Sequence, residues 1–199
     1  LADVYERVYD ETQTLQLIVE PAHAGEARFQ ILRLARAEEE GAEAWTMHAT
    51  GKIGAAQASL PATSFNPQAV QARCGEEISA ADFYQARGAL GEAVGPQWRA
   101  LDKIWRGANE ALAHVPWPEQ ETYTFVAPPA LLEASMQLLS ASCASNKSAP
   151  ALFLPSGFET LEIFQPVRGP LWCHAELRPT QLEPAARLGE LHWYDDGGA

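Results

Sequence analysis

Apolar residues recur at every second position through most of the chain, and at nearly every position in one stretch near residue 135. Leu15, Leu17 and Val19 fall on one side of a strand and Gln16 and Glu20 on the other, with Ile18 the exception. Phe29 and Ile31 alternate with Arg28 and Gln30. The phase then slips at Leu32 and Leu34, as a bulge or a strand covered on both faces requires. Trp45, Met47 and Ala49 alternate with Thr46, His48 and Thr50. Between the second and third of these strands, residues 37–44 read as a turn, with Glu38, Glu39 and Glu40 solvated. The three strands predict an antiparallel meander. Residues 55–73 are rich in Ala, Gln, Ser and Pro, lack periodicity, and read as a linker over the surface.

The pattern changes after the linker. Ser79 precedes Asp82 by three residues, a capping-box spacing that predicts a short helix over 80–87, ended by Gly88. Residues 98–104 and 108–115 read as a hairpin around Arg106 and Gly107, and Pro116, Pro118, Pro128 and Pro129 bracket a further turn and strand region. Residues 130–144 are apolar or small on most sides, which predicts a buried helix, and Pro129 suits its first turn. Leu171, Cys173, Ala175 and Leu177 then alternate with Trp172, His174, Glu176 and Arg178, and 189–194 is a last strand. Strands before and after one buried helix predict an α+β hot-dog fold, an antiparallel sheet wrapped around a central helix. The first half reads as the strands of a similar sheet without its helix. The expected division is 1–54 for the remaining strands of the first hot-dog, 55–75 for the linker and 76–199 for the second.

Composition narrows the partners. Among 199 residues, 26 are acidic and 14 basic, for a net charge of −12. That balance argues against a nucleic-acid surface, which needs clustered Lys and Arg. No run of about 18 apolar residues exists, so no helix spanning a membrane is expected. Three distant cysteines, Cys74, Cys143 and Cys173, without a C-x-x-C pair, predict neither a disulfide framework nor a zinc site and fit a reducing cytoplasm. Residues 1–10 lack the basic start and apolar stretch of a secretion signal. The chain begins without Met, so the expectation is a piece of a longer polypeptide.

Glu133 carries the most chemical information. It is flanked by Leu131, Leu132, Ala134 and Met136 on the apolar helix. A buried carboxylate is costly, so it is partnered, protonated or engaged in chemistry, unless it faces water at a helix edge. Gln137, four residues on, shares its helix face and can hold one carboxyl oxygen. Elsewhere the signals are weak. His23 and His192 are isolated, and His114 and His174 share strand faces with charged residues and read as solvated. No metal-ligand spacing, G-x-S-x-G motif or Gly-rich phosphate loop is present. The six Trp residues, spread along the chain, read as core packing.

Four segments in order resemble the dehydratase domain of modular type I polyketide synthases. Residues 45–51, W-T-M-H-A-T-G, resemble the strand that ends that family's first hot-dog. Phe83-Tyr84, followed by V-G-P-Q-W-R-A-L at 94–101, is similar to its F-Y … Y-G-P-x-F-R-x-L signature. Residues 128–137, P-P-A-L-L-E-A-S-M-Q, resemble H-P-x-L-L-D-A-x-x-Q, and Leu154 to Gly157 with Leu161 resemble the strand that opens after the helix. The resemblance implies most of a double hot-dog, a domain that removes water from a 3-hydroxyacyl chain carried on the phosphopantetheine arm of an acyl carrier protein, with no cofactor or metal of its own. It implies Glu133 as the acid and Gln137 as its supporting amide. Tyr84, Val94, Gly95, Pro96, Trp98 and Pro128 would line the substrate tunnel. The implied partners are the carrier protein and neighbouring synthase domains, with dimerisation left open.

The departures from the pattern are specific. Glu133 stands for Asp, Pro128 for His, Val94 for Tyr and Trp98 for Phe. The family's base motif, H-x-x-x-G-x-x-x-x-P, is absent, and His48 with Gly51 has the wrong spacing and strand. The base is therefore expected before Leu1. Three rival readings follow. One is a decayed, non-catalytic scaffold, and another is a variant that shifts double bonds or cyclises. The third is another hot-dog protein, a thioesterase or acyl-thioester binder, which would need cationic contacts for a coenzyme A ligand.

Overall fold

The computed structural model describes residues 13–21, 25–35, 44–55, 65–116, 125–143, 153–179 and 186–198. His23, Trp117, Pro118, the run Glu38 to Glu40 and residues 1–10 lie outside them. The chain divides into two compact units, residues 1–58 and 59–199.

The first unit is an antiparallel meander of β1 (Leu15–Pro21), β2 (Ala27–Ala35) and β3 (Ala44–Ile53), in that order. Its register breaks between Ile31 and Leu32, because partners jump from Ala49 to Met47 and leave His48 as the extra residue of a bulge. Leu17, Ile31 and Ala49 form one cross-strand row. One position along β2 the face changes, and Leu32 pairs with Met47 there, then Leu34 with Trp45. The phase slip in the sequence is this bulge. A one-residue offset carries the apolar set to the other face of the sheet.

The second unit holds a five-stranded antiparallel sheet, β4 (Glu76–Ser79), β5 (Lys103–Arg106), β6 (Glu110–Val115), β7 (Leu171–Arg178) and β8 (Leu188–Tyr194), in sequence order. Three helices belong to it: α1 (Pro67–Cys74), α2 (Ala80–Ala89) and α3 (Pro129–Cys143). One sheet face presents Ile104, Ala111, Ala113, Cys173 and Ala175, all buried against Leu131, Ala134, Leu138 and Ala141 of α3. Small residues at the middle of the sheet let the helix approach closely, which makes α3 the core of the unit. On the other face, Leu112, Trp105 and Trp172 pack under Val70 and Cys74 of α1, with Phe65 beside them. The sheet is covered on both sides.

Several elements differ from the sequence-based expectations. The segment expected as a linker contains α1. Asn66 caps it by accepting from the Ala69 amide at 3.1 Å, Pro67 occupies its first turn, and Gly75 closes it at φ 74. The hairpin is shorter than expected. Gly95 and Pro96 start a 3₁₀ turn over Pro96–Trp98, so Trp98 lies outside the strand, which begins at Lys103. Asn109, at φ 63, makes the turn into β6. Residues 153–170 form no strand, in contrast to the strand opening expected at Leu154 to Gly157. The capping box holds as expected: Ser79 accepts from the Asp82 amide at 3.1 Å and donates to its carboxylate at 2.7 Å.

Candidate active site

Helix α3 starts from a capped turn. The buried Pro128 accepts through its carbonyl from the amides of Leu131, at 3.0 Å, and Leu132, at 3.4 Å. Glu133 is the fifth residue of this helix and is half-buried. Gln137, one turn later, is 1% exposed. Its amide nitrogen donates to Glu133 Oε1 at 2.9 Å and to the Trp98 carbonyl at 3.3 Å. Its oxygen accepts from the Tyr84 hydroxyl at 3.0 Å, and the Tyr84 oxygen in turn accepts from the Leu101 amide at 3.3 Å. Three elements therefore meet at Gln137: α3, helix α2 through Tyr84, and the turn between α2 and β5.

Tyr84 is 7% exposed. Burial pushes its hydroxyl up to about 12; the Leu101 amide and the cations of Arg87 and Arg99 oppose that, and Glu133 adds to it. It remains a protonated O–H donor across the neutral range. The Arg99 guanidinium lies over its ring, 5.4 Å from the centroid, and donates to the Val94 carbonyl at 2.8 Å. One turn along α2, the buried Arg87 donates to Ser140 of α3 at 2.6 Å and pairs with Glu92. Tyr84 with Gln137 and Arg87 with Ser140 thus tie α2 to α3 at two points three residues apart on each helix.

The residues named from the sequence divide into two sets. Glu133, Gln137, Tyr84 and the Trp98 carbonyl belong to one hydrogen-bonded group. Val94 is buried in the core beside it, Gly95 and Pro96 shape the turn, and Pro128 caps α3. The Trp98 side chain is 40% exposed. Trp45 is also exposed, against the expectation of core packing, whereas Trp105, Trp172 and Trp193 are partly buried against the cores. Trp193 donates to Ser135 of α3 at 2.6 Å.

His174 corrects an expectation. The charged neighbours on its strand suggest a solvated residue, yet it is 5% exposed, because α1 and Phe65 cover that face of β7. Its Nε2 lies 3.2 Å from Glu110, and its Nδ1 faces Glu176 at 3.7 Å. Among the described residues, Glu110, His174 and Glu176 bring their ligand atoms within 4.8 Å, close enough to hold a cation. Arg73 already occupies Glu110, donating to both carboxylate oxygens at 2.9 and 3.2 Å. An open cavity of about 390 Å³ lies beside this group, between Phe65, Gln68, Trp172 and Gly198, on the opposite face of the sheet from α3.

An antiparallel sheet around a buried central helix is the hot-dog arrangement, the fold of polyketide synthase dehydratase domains of known structure. The dehydratase domain from the CurF module of curacin polyketide synthase superposes with a TM-score of 0.79 at 25% identity, over 95% of this chain and 66% of that one. A trans-AT dehydratase domain from Brevibacillus brevis superposes at 0.73 and 21% identity, over 96% of this chain and 67% of that one, a likeness of fold. In sequence, the chain is 28% identical over 158 residues to one polypeptide of the phenolphthiocerol/phthiocerol polyketide synthase of Mycobacterium tuberculosis. It is 38% identical over 104 residues to polyketide synthase GfsB of Streptomyces halstedii. These alignments take in 76% and 50% of this chain but only 8% and 2% of the relatives. Residues 62–199 match the family described as polyketide synthase dehydratase N-terminal domain, and the chain belongs to that family.

Proposed function

We propose that this chain forms part of a dehydratase that converts a 3-hydroxyacyl thioester, borne by an acyl carrier protein, into the enoyl thioester. Glu133 is the acid. A base removes the α-proton, the new carbon–carbon double bond forms as the C–O bond breaks, and the Glu133 proton leaves with the hydroxyl as water. The observation that carries this reading is the hold on Glu133, a half-buried carboxyl group whose Oε1 accepts from the buried Gln137 amide at 2.9 Å. Crystal structures of the CurK dehydratase include a His-to-Phe and an Asp-to-Asn variant, each described as inactive. They support a two-residue acid–base scheme in which Glu133 takes the place of the Asp and the His comes from outside this chain. The partners would be the carrier protein and adjoining synthase domains. The three free cysteines suit a reducing cytoplasm.

The test is turnover of a 3-hydroxyacyl carrier-protein substrate by the full synthase polypeptide. Glu133→Gln should lower it by about 100- to 10,000-fold, the usual contribution of a positioned acid. Unchanged turnover would remove Glu133 from the mechanism. Two sequence facts favour a second reading, a decayed scaffold: Glu133 stands for the family's Asp, and Pro128 for the His of its His-Pro pair. Wild-type polypeptide that binds the substrate yet forms no enoyl product would support it.

A further inference from the structure

We infer that Tyr84 is a positioning residue that fixes which way round the Gln137 amide faces Glu133, with backbone groups of the Trp98–Leu101 segment setting the polarity at both ends. The inference rests on the dehydratase reading for its catalytic meaning, though not for its geometry.

The chain of hydrogen bonds runs from the Leu101 amide to the Tyr84 oxygen, from the Tyr84 hydroxyl to Gln137 Oε1, and from Gln137 Nε2 to Glu133. A second branch runs from Gln137 Nε2 to the Trp98 carbonyl. An amide side chain can turn by half a circle and exchange its oxygen for its nitrogen with almost no change in shape, so only its partners decide its direction. Here two partners have no freedom. A backbone N–H can only donate, so the Tyr84 oxygen accepts from Leu101, and its single hydrogen is directed at the Gln137 oxygen. A backbone carbonyl can only accept, so the Gln137 atom facing Trp98 must be the nitrogen. Both constraints select the same orientation, and both come from one four-residue segment. Gln137 is 1% exposed, so no water competes for these bonds.

The orientation has a chemical consequence. With the Gln137 nitrogen donating to it, Glu133 Oε1 is an acceptor, which favours the proton on Oε2. With the amide reversed, the Gln137 oxygen would draw the proton to Oε1 and withhold it. Tyr84 thus acts on Glu133 through Gln137.

A double-mutant cycle in the full synthase polypeptide tests the idea. Tyr84→Phe keeps the ring and removes the hydroxyl. It should lower kcat about tenfold with KM within about twofold, since binding is untouched and only the aim of the acid is lost. In a Gln137→Ala background the same change should cost nothing further. Additive losses, or wild-type kcat in Tyr84→Phe, would overturn the inference. A second readout does not need activity. With 15N-glutamine labelling, the Gln137 side-chain amide protons should exchange slowly with solvent in the wild type and at least about tenfold faster in Tyr84→Phe. Unchanged exchange would also overturn the inference. If the wild type forms no enoyl product at all, the dehydratase reading falls, and the amide exchange alone decides the relay.

Discussion

Cys173 lies against the centre of α3 and is 1% exposed. Its thiol donates to Ser135 Oγ at 3.4 Å, and the same oxygen donates to the Leu131 carbonyl at 2.7 Å. Burial pushes the Cys173 thiol up to about 12 and Cys74 up to about 11, so neither is a thiolate near neutrality. Neither should react with a disulfide reagent at neutral pH until the protein unfolds, and rapid labelling in the folded state would contradict this. The sign of the linkage also follows. A thiol that ionises near 9.0 when unfolded and about 12 when folded stabilises the fold below pH 9, and that stability is lost as pH rises toward 12. Denaturation midpoints measured across that window should fall. At this scale the sequence already exposed the acid and its amide, because positions 133 and 137 share a helix face at a fixed spacing. It could not expose Tyr84 as their partner. That contact spans 53 positions along the chain and exists only once α2 lies on α3. The burial of His174 is hidden from the sequence for a related reason. Strand parity says which face a residue shares, not what covers that face.

At the scale of elements, the contact between β8 and α3 depends on a missing side chain. Gly189 pairs with Leu177 in the sheet, and a Cβ on it would meet the Glu176 carbonyl at 2.8 Å and run into Leu139. The backbone carbonyl cannot step aside as a side chain can. Gly189→Ala should therefore destabilise the protein by about 1–3 kcal/mol, read as a lower urea midpoint at unchanged slope. A neutral midpoint would show that β8 can shift. The strands were legible because their alternation has a period of two, and even the bulge at Leu32 left its mark as a phase slip. Helix α1 was not legible as a periodic helix, since only Val70 and Cys74 of its eight residues are buried. Its punctuation was there to be read: Asn66 before Pro67, and Gly75 after the last turn.

At the scale of the molecule, burial is uneven. Among the described residues, every buried side chain belongs to residues 59–199, and both apolar clusters lie within that unit. The meander of residues 1–58 shows Leu15, Leu17, Val19 and Met47 each about half or more exposed. A polypeptide of residues 59–199 should fold alone with a cooperative thermal transition, because its sheet is covered on both faces by its own helices. A broad, non-cooperative melt of that fragment would refute this. No helix among the described residues is long and apolar enough to cross a membrane.

By itself, the sequence determined most of the strands, the buried central helix and the pairing of an acid with an amide one turn away. These follow from local periodicity, which depends only on how residues repeat along a strand or a helix. Tertiary structure alone decided that Tyr84 and the Trp98–Leu101 segment close on Gln137 and that α1 roofs His174. Each of these joins residues far apart in the chain, and such contacts are set by the packing of whole elements against one another.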